Sequence, residues 1–316
     1  MKRRSLIKGA ALAATLAGAS LAGAGAAMAQ DGEKKVIGVS IPSATHGFMG
    51  GLNWHAQDTI KRLGTTYPNI EFVLSTAADA GKQVSDIEDM MATRNIDALV
   101  VLPFESEPLT APVAAVKEAG KFVTVVDRGL SQEGIEDLYV AGDNTAFGRV
   151  AGEYFKANLK PGAKIVVLRG IPTTLDNERV EAFQKALDGS GVEILDMQHG
   201  NWNRDDAFTV MQDYLSKYPQ IDAVWAADDD MAVGVLEAIS AANRNDEMWV
   251  IGGAGMKEIV KRIMDGDKQL PVNVTYPPAL ISSAIEMTAL NFVSSAPMTG
   301  RFIIGSQLIT PENAKQ

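Results

Sequence analysis

Cysteine is absent from this 316-residue chain, histidine occurs only three times, and aromatic residues make up 6%. Without cysteine there is no disulfide, no thiol nucleophile and no thiolate-bound metal, so the fold rests on its core alone. His46, His55 and His199 are too scattered for a histidine metal motif, and no metal or other cofactor is expected. Basic residues are few: 29 Lys and Arg face 39 Asp and Glu, a formal net charge of −10. Such a surface repels phosphate backbones and anionic headgroups, which argues against nucleic acid and membrane surfaces as main partners. Nothing after Gln30 is long and apolar enough for a membrane span, so direct insertion is not expected there. What is plentiful is the 46% hydrophobic fraction, which supports a real core.

The first residues read as an export leader. Met1–Lys8 is basic, an Ala/Gly/Leu stretch free of charge runs to Met28, and Ala27-Met28-Ala29 has the small-x-small pattern of a signal-peptidase site. The expectation is a signal peptide over 1–29, cleaved near Ala29-Gln30. Arg3-Arg4-Ser5-Leu6-Ile7-Lys8 fits a twin-arginine leader, with the general secretory route as the alternative. Removing its four basic residues leaves 25 basic against 39 acidic, a charge of −14 over about 287 residues. That length suits two lobes of ordinary domain size.

From Lys35 onward, short apolar runs alternate with helical periodicity. Val36–Ile41 reads as a strand, and Phe48, Leu52, Ala56, Ile60 and Leu63 then share one helix face. Strands are expected at Phe72–Leu74, Ala98–Leu102 and Phe122–Val126, with a helix around Val84–Met91. A second series pairs strands Lys164–Leu168, Val192–Met197, Ala223–Ala226, Trp249–Gly252 and Pro271–Thr275 with helices near Asn177–Leu187, Asp205–Tyr218, Met231–Ala242, Lys257–Asp265 and Ala279–Val293. Such alternation predicts an α/β fold of parallel sheets, and the number of strands favours two doubly wound lobes over one sheet.

Ligands of such sheets gather at the carboxyl ends of strands. There the chain places Ser43–Met49, Pro103-Phe104, Asp127-Arg128, Arg169-Gly170, Trp202, Asp228, Ala254 and Tyr276. These are rings and charged hydrogen-bonding groups with no obvious nucleophile–base pair, the composition of a sugar pocket. A ring supports the C–H face of a sugar while carboxylate and guanidinium groups hold its hydroxyls. Asp228-Asp229-Asp230 invites a metal reading, but a helix follows at once, so Asp229 or Asp230 is expected to cap it. Trp202, in a polar loop, is read as a pocket residue and Trp54 as packing or a lobe interface. His55 and His199 are read as surface residues, and Asp143-Asn144 as helix capping near a lobe crossing.

Four segments in order carry a resemblance: Val125-Val126-Asp127-Arg128, Ala141-Gly142-Asp143-Asn144, Glu178-Arg179-Val180-Glu181-Ala182-Phe183 and Ala227-Asp228-Asp229-Asp230-Met231-Ala232-Val233-Gly234. Together they resemble the periplasmic sugar-binding proteins of the ribose-binding type, solute receptors of bacterial ABC importers. The resemblance implies a type I periplasmic binding fold: two lobes, a three-segment hinge, and one sugar sealed between them. It implies an N-terminal lobe of 36–141 plus 277–302 and a C-terminal lobe of 142–276 plus 303–316. It further implies a periplasmic monomer whose partners are a monosaccharide or polyol and a membrane permease. By position, Phe48 and Trp202 match sandwiching rings, Asp127 and Arg128 the N-lobe hydroxyl-binding pair, and Asn177, Arg179 and Asp228 the C-lobe set. Tyr276 falls on a hinge-proximal position commonly held by Gln. Thr45, His46, Met49 and Phe104 complete the candidate pocket. Two departures bear on the ligand. Thr45-His46-Gly47-Phe48-Met49 stands where ribose binders carry Asn and two adjacent Phe, and Gly252-Gly253-Ala254-Gly255 stands where Gly-Phe-Asp-Gly is usual. Loss of that carboxylate at Ala254 argues against ribose and for another pentose, a hexose or a sugar alcohol.

Three other readings compete. A chemotaxis or signalling receptor would share the pocket and differ downstream. A regulator of the lactose-repressor type would need a DNA-binding segment where the leader stands. An exported carbohydrate-active enzyme could use Asp127 and Asp228 as acid and base, but Arg128 beside Asp127 favours its ionised form and makes it a poor acid.

Overall fold

The computed structural model describes residues 33–315, so the leader read at 1–29 lies outside the described residues. Strands β1 (Lys35–Pro42), β2 (Ile70–Ala77), β3 (Ala98–Val101), β4 (Phe122–Val126) and β5 (Leu138–Gly142) come first. Next come β6 (Lys164–Arg169), β7 (Glu193–His199), β8 (Ala223–Ala226) and β9 (Trp249–Ile251). Short strands β10 (Asn273–Val274), β11 (Gly300–Ile304) and β12 (Leu308–Ile309) finish the chain. One parallel sheet has the order β11-β5-β4-β3-β1-β2, and a second has the order β7-β6-β8-β9. β10 and β12 pair antiparallel, and a bridge from Ala254 to Thr275 ties that pair to the residues after β9. The doubly wound, two-sheet expectation matches this topology.

The helices are α1 (Gly47–Thr66), α2 (Ala80–Asp89), α3 (Ser106–Glu118), α4 (Asn144–Asn158), α5 (Thr174–Leu187), α6 (Arg204–Lys217), α7 (Asp229–Ala241), α8 (Lys257–Met264) and α9 (Leu280–Val293). Their starts follow local chemistry. Side chains of Asp79, Asp143, Thr173, Asn203 and Asp228 each accept a backbone N–H in the first turn of α2, α4, α5, α6 and α7. The last corrects the sequence reading, since Asp228 caps α7 and Asp229 and Asp230 occupy its first turn. α3 escaped the periodicity reading because Pro108 and Pro112 break the pattern. Pro108 sits in the first turn, where a missing N–H costs little, and Leu109, Val113 and Val116 bury the inner face.

β3 and β4 are apolar almost throughout, as parallel strands covered on both faces must be. In the second sheet, Trp225 of β8 stacks on Phe183 of α5, with ring centroids 4.1 Å apart. α9 returns the chain to the first sheet and packs on β1, β3, β4 and β5. There the Thr288 and Thr124 hydroxyls pair at 2.7 Å. The chain therefore passes between the sheets after β5, before α9 and between β11 and β12. Carboxyl ends of strands from both sheets converge on one cavity.

Candidate functional site

A cavity of about 340 Å³ lies at that convergence. Nine of the sequence candidates line it: His46, Phe48, Asp127, Arg128, Arg179, Trp202, Asp228, Ala254 and Tyr276. Leu175, Ala227 and Gly253 line it as well and were not singled out in the sequence. Ala227 and Gly253 are direct neighbours of Asp228 and Ala254, so the strand-end rule could have found them.

From the first sheet, β4 ends at Val126 and the chain turns sharply, with Asp127 at φ +62°. That left-handed backbone is unusual for a residue other than glycine and is fixed from two sides. Asp127 N–H donates to Val140 O at 2.9 Å, and Tyr139 Oη donates to Asp127 O at 2.7 Å. Tyr276 Oη donates to Asp127 Oδ1 at 2.5 Å, and burial, with Asp127 beside it, holds that phenol well above the usual range. Arg128 is 5% exposed. Its Nη1 donates to Phe104 O at 2.5 Å, whereas its Nε is buried without a partner. Burial lowers the pKa of this guanidinium, with Asp127 opposing the shift.

From the second sheet, Trp202 follows β7 in a tight turn with Asn201 at φ +57° and Trp202 at φ +51°. Its ring lies against Gly170, where any side chain would collide with the indole. Arg128 covers the ring, its guanidinium carbon 5.2 Å from the centroid, and Trp202 Nε1 is buried without a partner. Arg179 is clamped by Asn144 Oδ1 at 2.9 Å and Ala227 O at 3.0 Å. It lies over the rings of Phe147 and Tyr276 at 4.1 and 4.4 Å. Asp228 Oδ1 caps α7 by accepting Met231 N–H at 3.0 Å while the residue lines the cavity. Burial, with Asp230 and Asp229 nearby, pushes this carboxyl well above the usual carboxylate range. Ala254 adopts φ +97° and brings no polar side chain to the wall.

Four candidates lie elsewhere. Thr45, Met49 and Phe104 line a neighbouring space of about 430 Å³ behind His46, Arg128 and Trp202. Asn177 lines no part of the cavity; it is exposed and accepts from Arg169 Nη2 at 2.7 Å. The reason is helical phase. α5 starts at Thr174, so Leu175 and Arg179, four residues apart, share the inner face and Asn177 turns outward. Trp54, read as packing or a lobe interface, is 61% exposed and sets its ring edge against His55. It lines the wide mouth of the cleft, along with Phe48, Asp228 and Ala254. His199 is half-buried with Nδ1 2.5 Å from Gly170 O, so it supports the Gly170 turn from outside the cavity.

His46, Asp228 and Asp230 bring potential ligand atoms within 4.8 Å of one another. The geometry is poor for a cation. Asp230 Oδ2 already accepts Gly47 N–H at 2.7 Å, Asp228 Oδ1 is spent on the α7 cap, and Arg204 Nη2 stands 3.7 Å from Asp230. Burial lowers the His46 pKa to about 4, with Arg128 adding to the shift and Asp230 opposing it, so the imidazole is neutral near pH 7.

A model of the periplasmic binding protein domain matches residues 37–292. The ribose import binding protein RbsB of Bacillus subtilis (strain 168) is 31% identical over 253 residues, 79% of each chain. Among solved structures, the Caulobacter myo-inositol binding protein bound to myo-inositol aligns with a TM-score of 0.81 at 27% identity, covering 90% of this chain and 96% of that one. An ABC transporter solute binding protein from Mycobacterium smegmatis with bound glycerol aligns with a TM-score of 0.80 at 29% identity, covering 89% and 96%. The two parallel sheets are those of a type I periplasmic binding protein.

Proposed function

The chain belongs to the periplasmic binding protein family, and we propose that it is a solute receptor for one neutral monosaccharide or sugar alcohol, delivering it as a monomer to the permease of an ABC importer. One observation carries this reading. Two residues that line the cavity carry buried donors without partners, Arg128 Nε and Trp202 Nε1, and the carboxyl groups of Asp127 and Asp228 line it with them. Buried polar groups are paired in nearly all proteins, so groups left over around a cavity are those a ligand completes. Hydroxyls both donate and accept, and they suit such a mixed set.

Within that class, a sugar alcohol or hexose suits the site better than ribose. Ala254 removes an acceptor from the wall, and two similar proteins hold myo-inositol and glycerol. The lobes expected at 36–141 with 277–302 and at 142–276 with 303–316 divide one or two residues later, since Gly142, Ile303 and Ile304 pair within the first sheet, and closure about their three connections shifts the population toward the bound form. The protein is a receptor with no catalytic step, exported to the periplasm after cleavage near Ala29-Gln30. Mass spectrometry of any stabilising sugar after overnight incubation should return it unchanged. Steady turnover would overturn the receptor reading.

A further inference from the structure

Helix α1 begins without a cap of its own. Its N-cap residue is His46, which makes no side-chain capping bond, and its first turn contains no acidic residue. A helix start leaves N–H groups unsatisfied and carries partial positive charge, so a carboxylate is the partner it favours. The partner here comes from 183 residues away. Gly47 N–H donates to Asp230 Oδ2 at 2.7 Å, joining α1 on the first sheet to the first turn of α7 on the second. Both residues line the wide mouth of the cleft and neither lines the inner cavity.

The absence of a side chain at Gly47 points the same way. A Cβ there would stand 2.9 Å from Asp230 Oδ2 and 2.9 Å from Met256 Cε, both on the second-sheet side. We propose that Asp230 and Gly47 form a closure latch: Asp230 caps α1 across the cleft only when the lobes meet, and Gly47 keeps the space that lets them meet. Asp230 is thus a positioning residue that sets how long the receptor stays closed without touching what it holds. The latch rests on the receptor reading above.

The test uses the full chain with xylitol, myo-inositol, glucose and ribose as probes, read by calorimetry and stopped-flow fluorescence. Asp230→Ala should weaken every probe that binds by about two- to thirtyfold, the scale of a lost cap, through faster dissociation. Asp230→Asn keeps an acceptor oxygen and should restore most of the affinity. Gly47→Ala separates latch from fold: alanine favours a helix, so the ligand-free melting temperature should hold or rise while affinity falls. Equal affinities in wild type, Asp230→Ala and Gly47→Ala would overturn the latch alone. A wild type that binds none of the probes would overturn the receptor reading and the latch with it.

Discussion

Replacing Trp202 separates the two things its indole does. The ring is 6% exposed, sits against Gly170 and carries the Arg128 guanidinium over it, while Nε1 is buried with no protein acceptor. Trp202→Phe keeps an aromatic face for Arg128 and removes the N–H together with one ring of the indole, so its effect adds some lost packing against Gly170 to the lost donor. If Nε1 donates to a ligand hydroxyl, its loss leaves an acceptor buried and unpaired, about 1–2 kcal/mol. That corresponds to roughly five- to thirtyfold in Kd. Trp202→Ala removes the whole wall and should cost about 2–4 kcal/mol of binding, as loss of a buried aromatic anchor does. It should also lower the ligand-free melting temperature, because the indole packs into the core cluster as well as the cavity. Calorimetry of the tightest probe against both variants measures the affinities. Intrinsic fluorescence adds a second readout: Trp225 is in the core, Trp249 packs on Phe155 away from the cavity, and Trp54 stands exposed at the cleft mouth, so the larger part of a ligand-induced change should be lost with Trp202. Wild-type affinity in Trp202→Phe and Trp202→Ala would refute the assignment of this ring to the site.

Further expectations follow from neighbouring residues. Asp228→Ala should abolish binding and also destabilise α7 by about 0.5–2 kcal/mol, whereas Asp228→Asn keeps the cap and should lose affinity alone, checked by melting curves beside calorimetry. Asp229 is fully buried, accepts Met256 N–H and Asn273 Nδ2–H at 2.6 Å each, and is pushed up by burial to about 7. Its folded pKa lies above its ordinary value of 3.8, so the stability tied to its protonated form is full below pH 3.8 and lost as pH rises through about 7. Asp229→Asn removes the titrating group, although its amide can accept only one of the two N–H groups, so the variant should start below wild type at low pH and gain on it as pH rises from 4 to 8, at about 1.4 kcal/mol per pKa unit. A melting-temperature difference flat across that range would contradict the burial argument. Ala254→Asp places a carboxylate beside Asp228 and should weaken polyol binding, and ribose should bind wild type poorly; submicromolar ribose affinity by calorimetry would refute the Ala254 argument.

Much of the architecture was legible because its signals are local. Apolar runs such as Ala98–Leu102 and Phe122–Val126 alternate with 3.6-residue periodicity, and that pattern specifies strand, helix and parallel pairing together. Site residues at strand ends were legible for the same reason, since Asp127, Arg128, Asp228 and Ala254 each lie within three residues of a strand's end. What was missed depends on phase or on distant contacts. Asn177 turned out to face solvent because the Thr173 cap starts α5 three residues before it, which brings Leu175 and Arg179 inward instead. β11 carries exposed Phe302 and Ile303 on a sheet edge, where burial leaves no pattern to read. Asp230 meets Gly47 across 183 residues, a contact no window along the chain contains.

The central claim, that unpartnered donors and carboxyl groups around one cavity await a hydroxylated ligand, is tested most directly by titration calorimetry of the wild-type chain against neutral pentoses, hexoses and sugar alcohols. The account predicts at least one sugar alcohol or hexose bound at one per chain, with ribose much weaker. At a hundredfold over its dissociation constant, that ligand should add about 2.7 kcal/mol to the stability of the fold. No heat from any neutral sugar or polyol at millimolar concentration, and no change in the melting curve, would contradict it.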